Sequence, residues 1–163
     1  MAAGATYTPI QTQTLGSATN TVSFNSIPQT YTDLVLVING KTSYSAQDAA
    51  YVYYNGDTTY TNYSITRLYG NGSSAASDRY NAPYAIWMGN AFGTAIVNVQ
   101  NYSNTTIYKT TLARSGALGG AGITGATVGL WRNTAAITSI TIYDTSENWQ
   151  IGSQFTLYGI SSA

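Results

Sequence analysis

The side chains that could carry out acid–base or metal chemistry in this chain are few. Its 163 residues include six Asp/Glu and six Lys/Arg, with neither His nor Cys. Without those two residue types, Ser-His-Asp and Cys-His nucleophilic sites cannot be assembled, and zinc sites of the usual Cys/His type are excluded. Asp144 and Glu147 are close in sequence, and their oxygens suit Ca²⁺. Because two ligands are few and no EF-hand pattern is present, we expect a polar turn there rather than a cation site.

The other carboxylates form no persuasive pair for glycoside hydrolysis, a reaction that two carboxylates can catalyse. Asp57 follows Asn55-Gly56 in a predicted turn, and Asp78 ends a predicted loop. Asp at such positions usually accepts hydrogen bonds from the neighbouring backbone. We therefore expect a protein that is not an enzyme and that binds no metal and no cofactor.

Low charge is the most unusual property of the composition. Only 7% of the residues are charged, against roughly 25% in an average soluble domain. The net charge is zero and the basic residues are scattered singly, so the sequence lacks the basic patch of a nucleic-acid-binding protein. The longest apolar run, residues 34–38, is far shorter than the ~20 residues of a transmembrane helix. No signal peptide is predicted, and neither nucleic acid nor membrane is an expected partner.

The elements that must position these side chains are β-strands. Thr, Val, Ile and Tyr dominate, and apolar residues recur at every second position between clusters of turn residues. The predicted strands are residues 6–15, 21–27, 33–39, 51–54, 60–69, 84–88, 94–102, 106–114, 127–131, 136–143 and 154–160. We expect an all-β, antiparallel β-sandwich of the jelly-roll type, with about 8 to 11 short strands. Strand 33–39 is apolar on both faces, which predicts a central strand covered on both sides.

Residues 1–163 are predicted to form a single β-sandwich domain. Within it, residues 1–20 form either an extended N-terminal arm or the first strand. Asn55-Gly56-Asp57 separates the predicted strands 51–54 and 60–69. Because Asn and Gly accept a positive φ, these two strands should form a β-hairpin.

Three segments are predicted to lie outside the strands. Residues 70–78 are polar, and residues 116–122 are rich in Gly, so both should be loops. Residues 42–50 have modest helix character and should contain a short helical turn.

The aromatic residues are the best candidates for a contact surface, because Tyr and Trp bring a large area at a small entropy cost. Tyrosines crowd the predicted hairpin, and Trp149 follows the polar turn, where it should be exposed. The candidate interface residues are Tyr51, Tyr53, Tyr54, Tyr60, Tyr63 and Trp149. Packing between neighbouring strands explains the tyrosines equally well, since such pairs contribute about 0.2–1 kcal/mol each. Trp87 and Trp131 lie in apolar strands and are expected in the core.

Two segments of the chain resemble segments of small virion proteins from tailed bacteriophages, including cyanophages and other aquatic phages. The first is residues 14–38, TLGSATNTVSFNSIPQTYTDLVLVI. The second is the ending, AITSITIY at 136–143 and IGSQFTLYGI at 151–160. Together they cover roughly a quarter to a third of the chain. The quoted residues predict strands and turns, and the resemblance assigns no catalytic or binding residue.

The resemblance implies a virion structural protein, and such proteins occur as capsid decoration (cement) proteins, head fibres or tail-fibre modules. The compact length without heptad repeats favours a decoration protein that binds and stabilises the outer capsid surface. Its partners would be the major capsid protein and copies of itself in a homotrimer. It would be made in the host cytoplasm and reside on the outer capsid surface of the virion. The alternative is a receptor- or carbohydrate-binding module of a head or tail fibre, with a host surface glycan as its partner.

Overall fold

Two antiparallel β-sheets pack face to face in the computed structural model, which describes residues 6–45, 48–117 and 122–161. The larger sheet has eight strands in the spatial order β1 (Tyr7–Thr14), β12 (Gln154–Ile160), β3 (Asp33–Gly40), β8 (Gly93–Gln100), β9 (Lys109–Ala117), β10 (Ile123–Trp131), β5 (Tyr63–Gly70) and β6 (Ala75–Tyr80). The smaller sheet has four strands in the order β2 (Thr21–Phe24), β11 (Ile140–Asp144), β4 (Asp48–Tyr54) and β7 (Tyr84–Met88). The predicted all-β sandwich is therefore confirmed.

The strand order is that of a jelly roll with two insertions. Strands β1-β12-β3-β8 of the larger sheet face β2-β11-β4-β7 of the smaller sheet, as in the eight-stranded form of this fold. The hairpin β5-β6 is inserted between β4 and β7, and the hairpin β9-β10 between β8 and β11. Both hairpins lengthen the larger sheet beyond its jelly-roll strands. We call these four added strands, β9-β10-β5-β6, the extension.

The core follows from the two-residue period of the strands. On β3, Leu34, Leu36 and Ile38 are fully buried against the smaller sheet. β3 lies between β12 and β8, which confirms the predicted central position. On the opposite face of β3, Val35 is buried and Val37 is half-buried. The prediction that both faces of this strand are buried therefore holds fully only for the face that points into the core.

The predicted hairpin around Asn55-Gly56 is wrong, although its turn is correct. Asn55 and Gly56 have φ angles of 52° and 69°, as expected for this pair. The Asp57 N–H donates to the Tyr54 carbonyl at 2.9 Å and closes the turn. The flanking strands do not pair, because β4 lies between β11 and β7 whereas β5 lies between β10 and β6. The turn instead carries the chain from the smaller sheet into the larger one.

The strand count also differs from the prediction, since residues 70–78 are not simply a loop. Ala75–Tyr80 forms the edge strand β6, paired with β5. Its six residues are almost all exposed and lack apolar alternation, so the sequence carries no strand pattern there. With β6, the described residues form twelve strands.

The remaining predicted segments, at residues 1–20, 42–50 and 116–122, agree with the structure only in part. Residues 42–50 form no helical turn in their described part, because β4 already begins at Asp48, while residues 46 and 47 lie outside the described residues. Gly116 and Ala117 belong to β9, and residues 118–121 of the predicted loop are likewise not described. Tyr7–Thr14 forms the first strand, which agrees with the prediction of a strand, and not of an extended arm, within residues 1–20. Across the described ranges, no helix has the length and apolarity to span a membrane.

Candidate functional site

A cluster of tyrosine rings lies where the extension meets the flank of the smaller sheet. On β4, Val52 and Tyr54 are fully buried in the core, so the alternating residues Tyr51 and Tyr53 point the other way. There, Tyr51 packs against Ile65 of β5 and Ala82 in a second apolar cluster. The extension therefore curls over the side of the smaller sheet that faces away from the core.

We define the tyrosine cluster as Tyr51, Tyr53, Tyr60 and Tyr143. The Tyr51 ring contacts the rings of Tyr53 and Tyr60 edge to face, with centroids 6.2 and 5.9 Å apart. Tyr53 contacts Tyr143 on the neighbouring strand β11 at 6.4 Å. These separations are the ones that aromatic pairs prefer. Tyr60 is 47% exposed and stands in the 3-10 turn Tyr60–Asn62, so the cluster reaches the surface.

The pKa values of two hydroxyl groups in this cluster, those of Tyr51 and Tyr53, are raised above the ordinary value. Burial raises the pKa of Tyr51 and of Tyr53, and the adjoining Tyr60 hydroxyl raises both further. Tyr60 therefore stands beside both tyrosines and brings the cluster to the surface. The cluster presents rings and hydroxyl groups, which can stack and exchange hydrogen bonds, and the raised pKa values of Tyr51 and Tyr53 leave these two poorly suited to act as a general base.

Arg67 lies beside the cluster in a cage of aromatic rings. Its guanidinium carbon is 4.5 Å from the centroid of Trp87, 4.7 Å from that of Tyr80 and 5.7 Å from that of Tyr69. Its Nε and Nη2 donate to the two carboxylate oxygens of Asp78 at 2.8 and 2.7 Å. This bidentate pair joins β5 to β6, since Arg67 and Asp78 face each other across the two strands.

The ion pair changes the acidity of both partners. The Arg67 hydrogen bonds hold the pKa of Asp78 below its usual value, against a smaller opposing effect of burial. Burial is the largest single influence on Arg67 and favours its neutral form, but the hydrogen bonds to Asp78 and the charge interactions with Tyr80, Asp78 and Tyr69 together raise its pKa. Both groups are therefore charged under ordinary conditions, and the cage holds the edge strand β6 in place.

The burial of four candidate interface residues, Tyr53, Tyr54, Tyr63 and Trp149, corrects the prediction for them. Trp149, expected to be exposed, is 0% exposed, because its ring packs edge to face on Phe155 at 5.0 Å. Tyr54 and Tyr63 are also core residues, and both pack against Trp131. Trp131 is buried as expected, whereas Trp87 is only half-buried. Tyr53 is only 8% exposed, so an interface role stays a prediction for Tyr51 and Tyr60 alone.

The Asp57 carboxylate fastens the turn that links the two sheets. Its Oδ1 accepts the Thr59 N–H at 3.0 Å, and its Oδ2 accepts from the Asn62 amide at 2.9 Å and from the Trp131 indole at 2.8 Å. Burial alone would raise the pKa of Asp57, but the hydrogen bonds from Trp131, Asn62 and Thr59 together lower it. The prediction that this Asp serves the local backbone is confirmed, with a side-chain network in addition.

Asp144 and Glu147 take part in a polar turn. Asp144 is 1% exposed, and its Oδ1 accepts the N–H groups of Ser146 and Glu147 at 3.1 Å each. Glu147 accepts the Ser43 hydroxyl at 2.9 Å. Among the residues that the structure describes, no three His, Cys, Asp or Glu side chains come close enough to hold a metal ion.

Sequence reasoning missed the residues of the Arg67 cage. Arg67 and Tyr69 lie two apart on a predicted strand, which already indicates one shared face. Trp87, Asp78 and Tyr80 join them from other strands, and no sequence pattern connects β5 with β7. No family model matches the chain, and no curated protein matches it either. The site consists of aromatic rings and hydroxyl groups beside the Arg67–Asp78 ion pair.

Proposed function

We propose that this protein is a structural component of a bacteriophage virion that binds the outer capsid surface and stabilises it. The proposal assigns it no enzymatic reaction. Its partners are the major capsid protein and two further copies of itself in a trimer. It is made in the host cytoplasm and resides on the outside of the capsid.

The two segments that resemble phage virion proteins are neighbours in space, which supports the proposal. Residues 14–38 contain β2 and most of β3, and the C-terminal segments contain most of β11 and all of β12. β11 pairs with β2, and β12 pairs with β3. The resemblance therefore covers adjoining strands of both sheets of the jelly roll and does not consist of two unrelated fragments.

The single observation that carries the proposal is that large apolar side chains are exposed while two of the few carboxylates are engaged within the fold. Leu68, Val128 and Ile151 are 60%, 56% and 63% exposed, although a chain so poor in charge has little to keep it from associating. Meanwhile Asp57 and Asp78 are each engaged in hydrogen bonds that hold the fold together. A surface of this kind suits permanent contact with other proteins.

Immunogold electron microscopy tests this function on particles of the phage that encodes the chain. An antibody against the purified protein should label the head at many copies, and light scattering of the free protein should give a trimer. Absence of the protein from purified particles would overturn the proposal.

A second candidate function is a carbohydrate-binding module of a head or tail fibre. The tyrosine cluster favours it, because exposed rings such as Tyr60 stack on sugars while their hydroxyls bond sugar hydroxyls. A glycan array with the wild-type protein and the Tyr60→Ala variant separates the two functions. Binding of a host surface glycan that is lost in the variant, together with label on the fibres, would favour this second candidate.

A further inference from the structure

The outer face of the extension is an apolar surface with no covering element among the described residues. At its centre Val128 of β10 lies opposite Leu112 of β9, and these side chains are 56% and 46% exposed. One row along, Leu68 of β5 lies opposite Ala126 and is 60% exposed. These three side chains point away from the sandwich core, because their strand neighbours on either side point inwards.

Positive charge surrounds this apolar centre. Arg114 of β9 lies opposite Ala126, Arg79 of β6 lies opposite Thr66, and Arg132 directly follows β10. All three arginines are exposed. Over the described residues of the extension, this face carries no Asp or Glu, since Asp78 lies on the other face with Arg67. Half of the six Lys/Arg of the chain thus lie around one surface.

Two of the arginines line a cavity beside the apolar centre. The cavity has a volume of about 530 Å³. Its walls include Arg79, Arg132, Thr66, Thr110, Val128 and Leu130. Arg132 donates to the carbonyl oxygens of Thr61 and Tyr63 at 2.9 and 3.0 Å, which fixes its guanidinium without neutralising the charge. The cavity therefore combines two cations, hydroxyl groups and an apolar wall, and can take the carboxylate of a Glu or Asp side chain.

We infer that this outer face is the surface by which the protein docks onto the capsid, and that it binds an acidic patch of the capsid protein whose carboxylates flank apolar side chains. The inference rests on the proposed function, because it names the docking face and the chemistry of that partner. Apolar contact at Leu112, Val128 and Leu68 supplies buried area. The arginines at its rim select a partner of opposite charge and speed its approach.

Two other occupants fit the surface less well. A second copy of this chain, docked face to face by twofold symmetry, would place arginines against arginines with no carboxylate to compensate. A nucleic acid would satisfy the cations, but its phosphates would leave the apolar centre against charged groups. An acidic protein surface with an apolar centre matches both parts of the face.

Co-sedimentation with capsids that lack this protein tests the inference. The proteins compared are the wild type, the double variant Arg79→Glu/Arg114→Glu, and Lys41→Glu as a matched charge reversal. Lys41 directly follows β3, which is not a strand of the extension, and its ammonium lies 5.1 Å from the ring centroid of Phe92. Circular dichroism checks that each variant is folded. We expect the double variant to bind at least about tenfold more weakly and to lose most of its salt dependence, whereas Lys41→Glu binds like the wild type.

A second variant, Val128→Ser, tests the apolar centre and should also weaken binding several-fold without changing the salt dependence. If the wild type does not sediment with capsids, the proposed function fails. If the wild type binds but the double variant binds equally well, only the docking face is wrong. If the double variant abolishes self-association, the face binds a second copy of the chain and the inference is overturned. If the double variant abolishes DNA binding while capsid binding persists, the face binds nucleic acid and the inference is likewise overturned.

Discussion

The ring of Tyr31 lies directly on the backbone of Gly159, so closely that a Cβ built there would be 2.3 Å from the Cγ of the ring. Gly159 is a buried position on β12, paired with Leu34 on one side and Thr8 on the other. The ring takes the place that a side chain would occupy. Any other residue at 159 must displace it.

Gly159→Ala should therefore destabilise the protein by about 1–3 kcal/mol, as overpacked sites do. Gly16→Ala is the matched control, because nothing lies within 4 Å of a Cβ at that position. Urea unfolding of both variants gives the two free energies. Adding Tyr31→Ala should make the effect of Gly159→Ala smaller, and additive effects would contradict the steric explanation.

Asp78→Asn should destabilise the protein by about 1–3 kcal/mol, because it leaves the guanidinium of Arg67 among aromatic rings without its carboxylate. Arg67→Met should cost less, since it removes the buried cation and fills the cage with an apolar side chain, while Asp78 keeps 31% of its side chain exposed to water. Thermal unfolding of the two variants checks this order. A larger loss for Arg67→Met would mean that the ion pair itself contributes most of the stability.

Asp57→Asn should cost about 1–2 kcal/mol near neutral pH, because the Trp131 indole N–H and the Asn62 amide lose a charged acceptor. The pKa of Asp57 is lower in the folded protein than its ordinary value of 3.8. Its stabilising effect is thus fully present above that value and is lost as the pH falls through the folded pKa. Unfolding measured between about pH 7 and about pH 2 should show the wild type approaching the variant. A constant difference over this range would exclude the carboxylate as the cause.

Alkaline pH should unfold the protein through its buried tyrosines. Burial raises the pKa of Tyr54, Tyr63 and Tyr102 above the ordinary value of 10.0. Because the folded state holds these protons more tightly than the unfolded state, stability falls as the pH rises above that value. The tyrosinate absorbance should therefore rise in two stages, with the exposed tyrosines first and the buried ones together with the loss of circular dichroism. A single early rise with the fold intact would contradict this burial.

Patterns over a few neighbouring residues predicted many strands and turns of this fold, because strand formation and turn conformation depend largely on neighbouring residues. The apolar run of residues 34–38 identified β3, since a short continuous apolar run is typical of a strand at the centre of a sheet. Asn55 and Gly56 likewise identified a turn, since the positive φ depends on those residues alone. The turn does not determine which strands pair with β4. Its partner β7 is more than 25 residues away in the chain, and its other partner, β11, is further away still.

The contact surfaces were predicted only in part for the same reason. The tyrosines of β4 are crowded in the sequence, but whether each is buried depends on the opposite sheet. Tyr54 points into the core between the sheets, whereas Tyr53 lies on the other face of β4 and is buried there by neighbouring tyrosine rings. Arg79, Arg114 and Arg132 look scattered along the chain, and only the pairing of β9, β10, β5 and β6 brings them to one face.

The neighbouring strands β1 and β12 determine how the molecule would bear a mechanical load. Tyr7 is paired with Ile160 at one end of this antiparallel ladder, and Thr14 with Gln154 at the other. A force that pulls residues 7 and 160 apart therefore acts across the strands and opens their hydrogen bonds one after another, like a zipper. A force applied between residue 7 and a distant strand such as β10 would load several ladders together. The protein should yield at low force in the first direction and resist in the second.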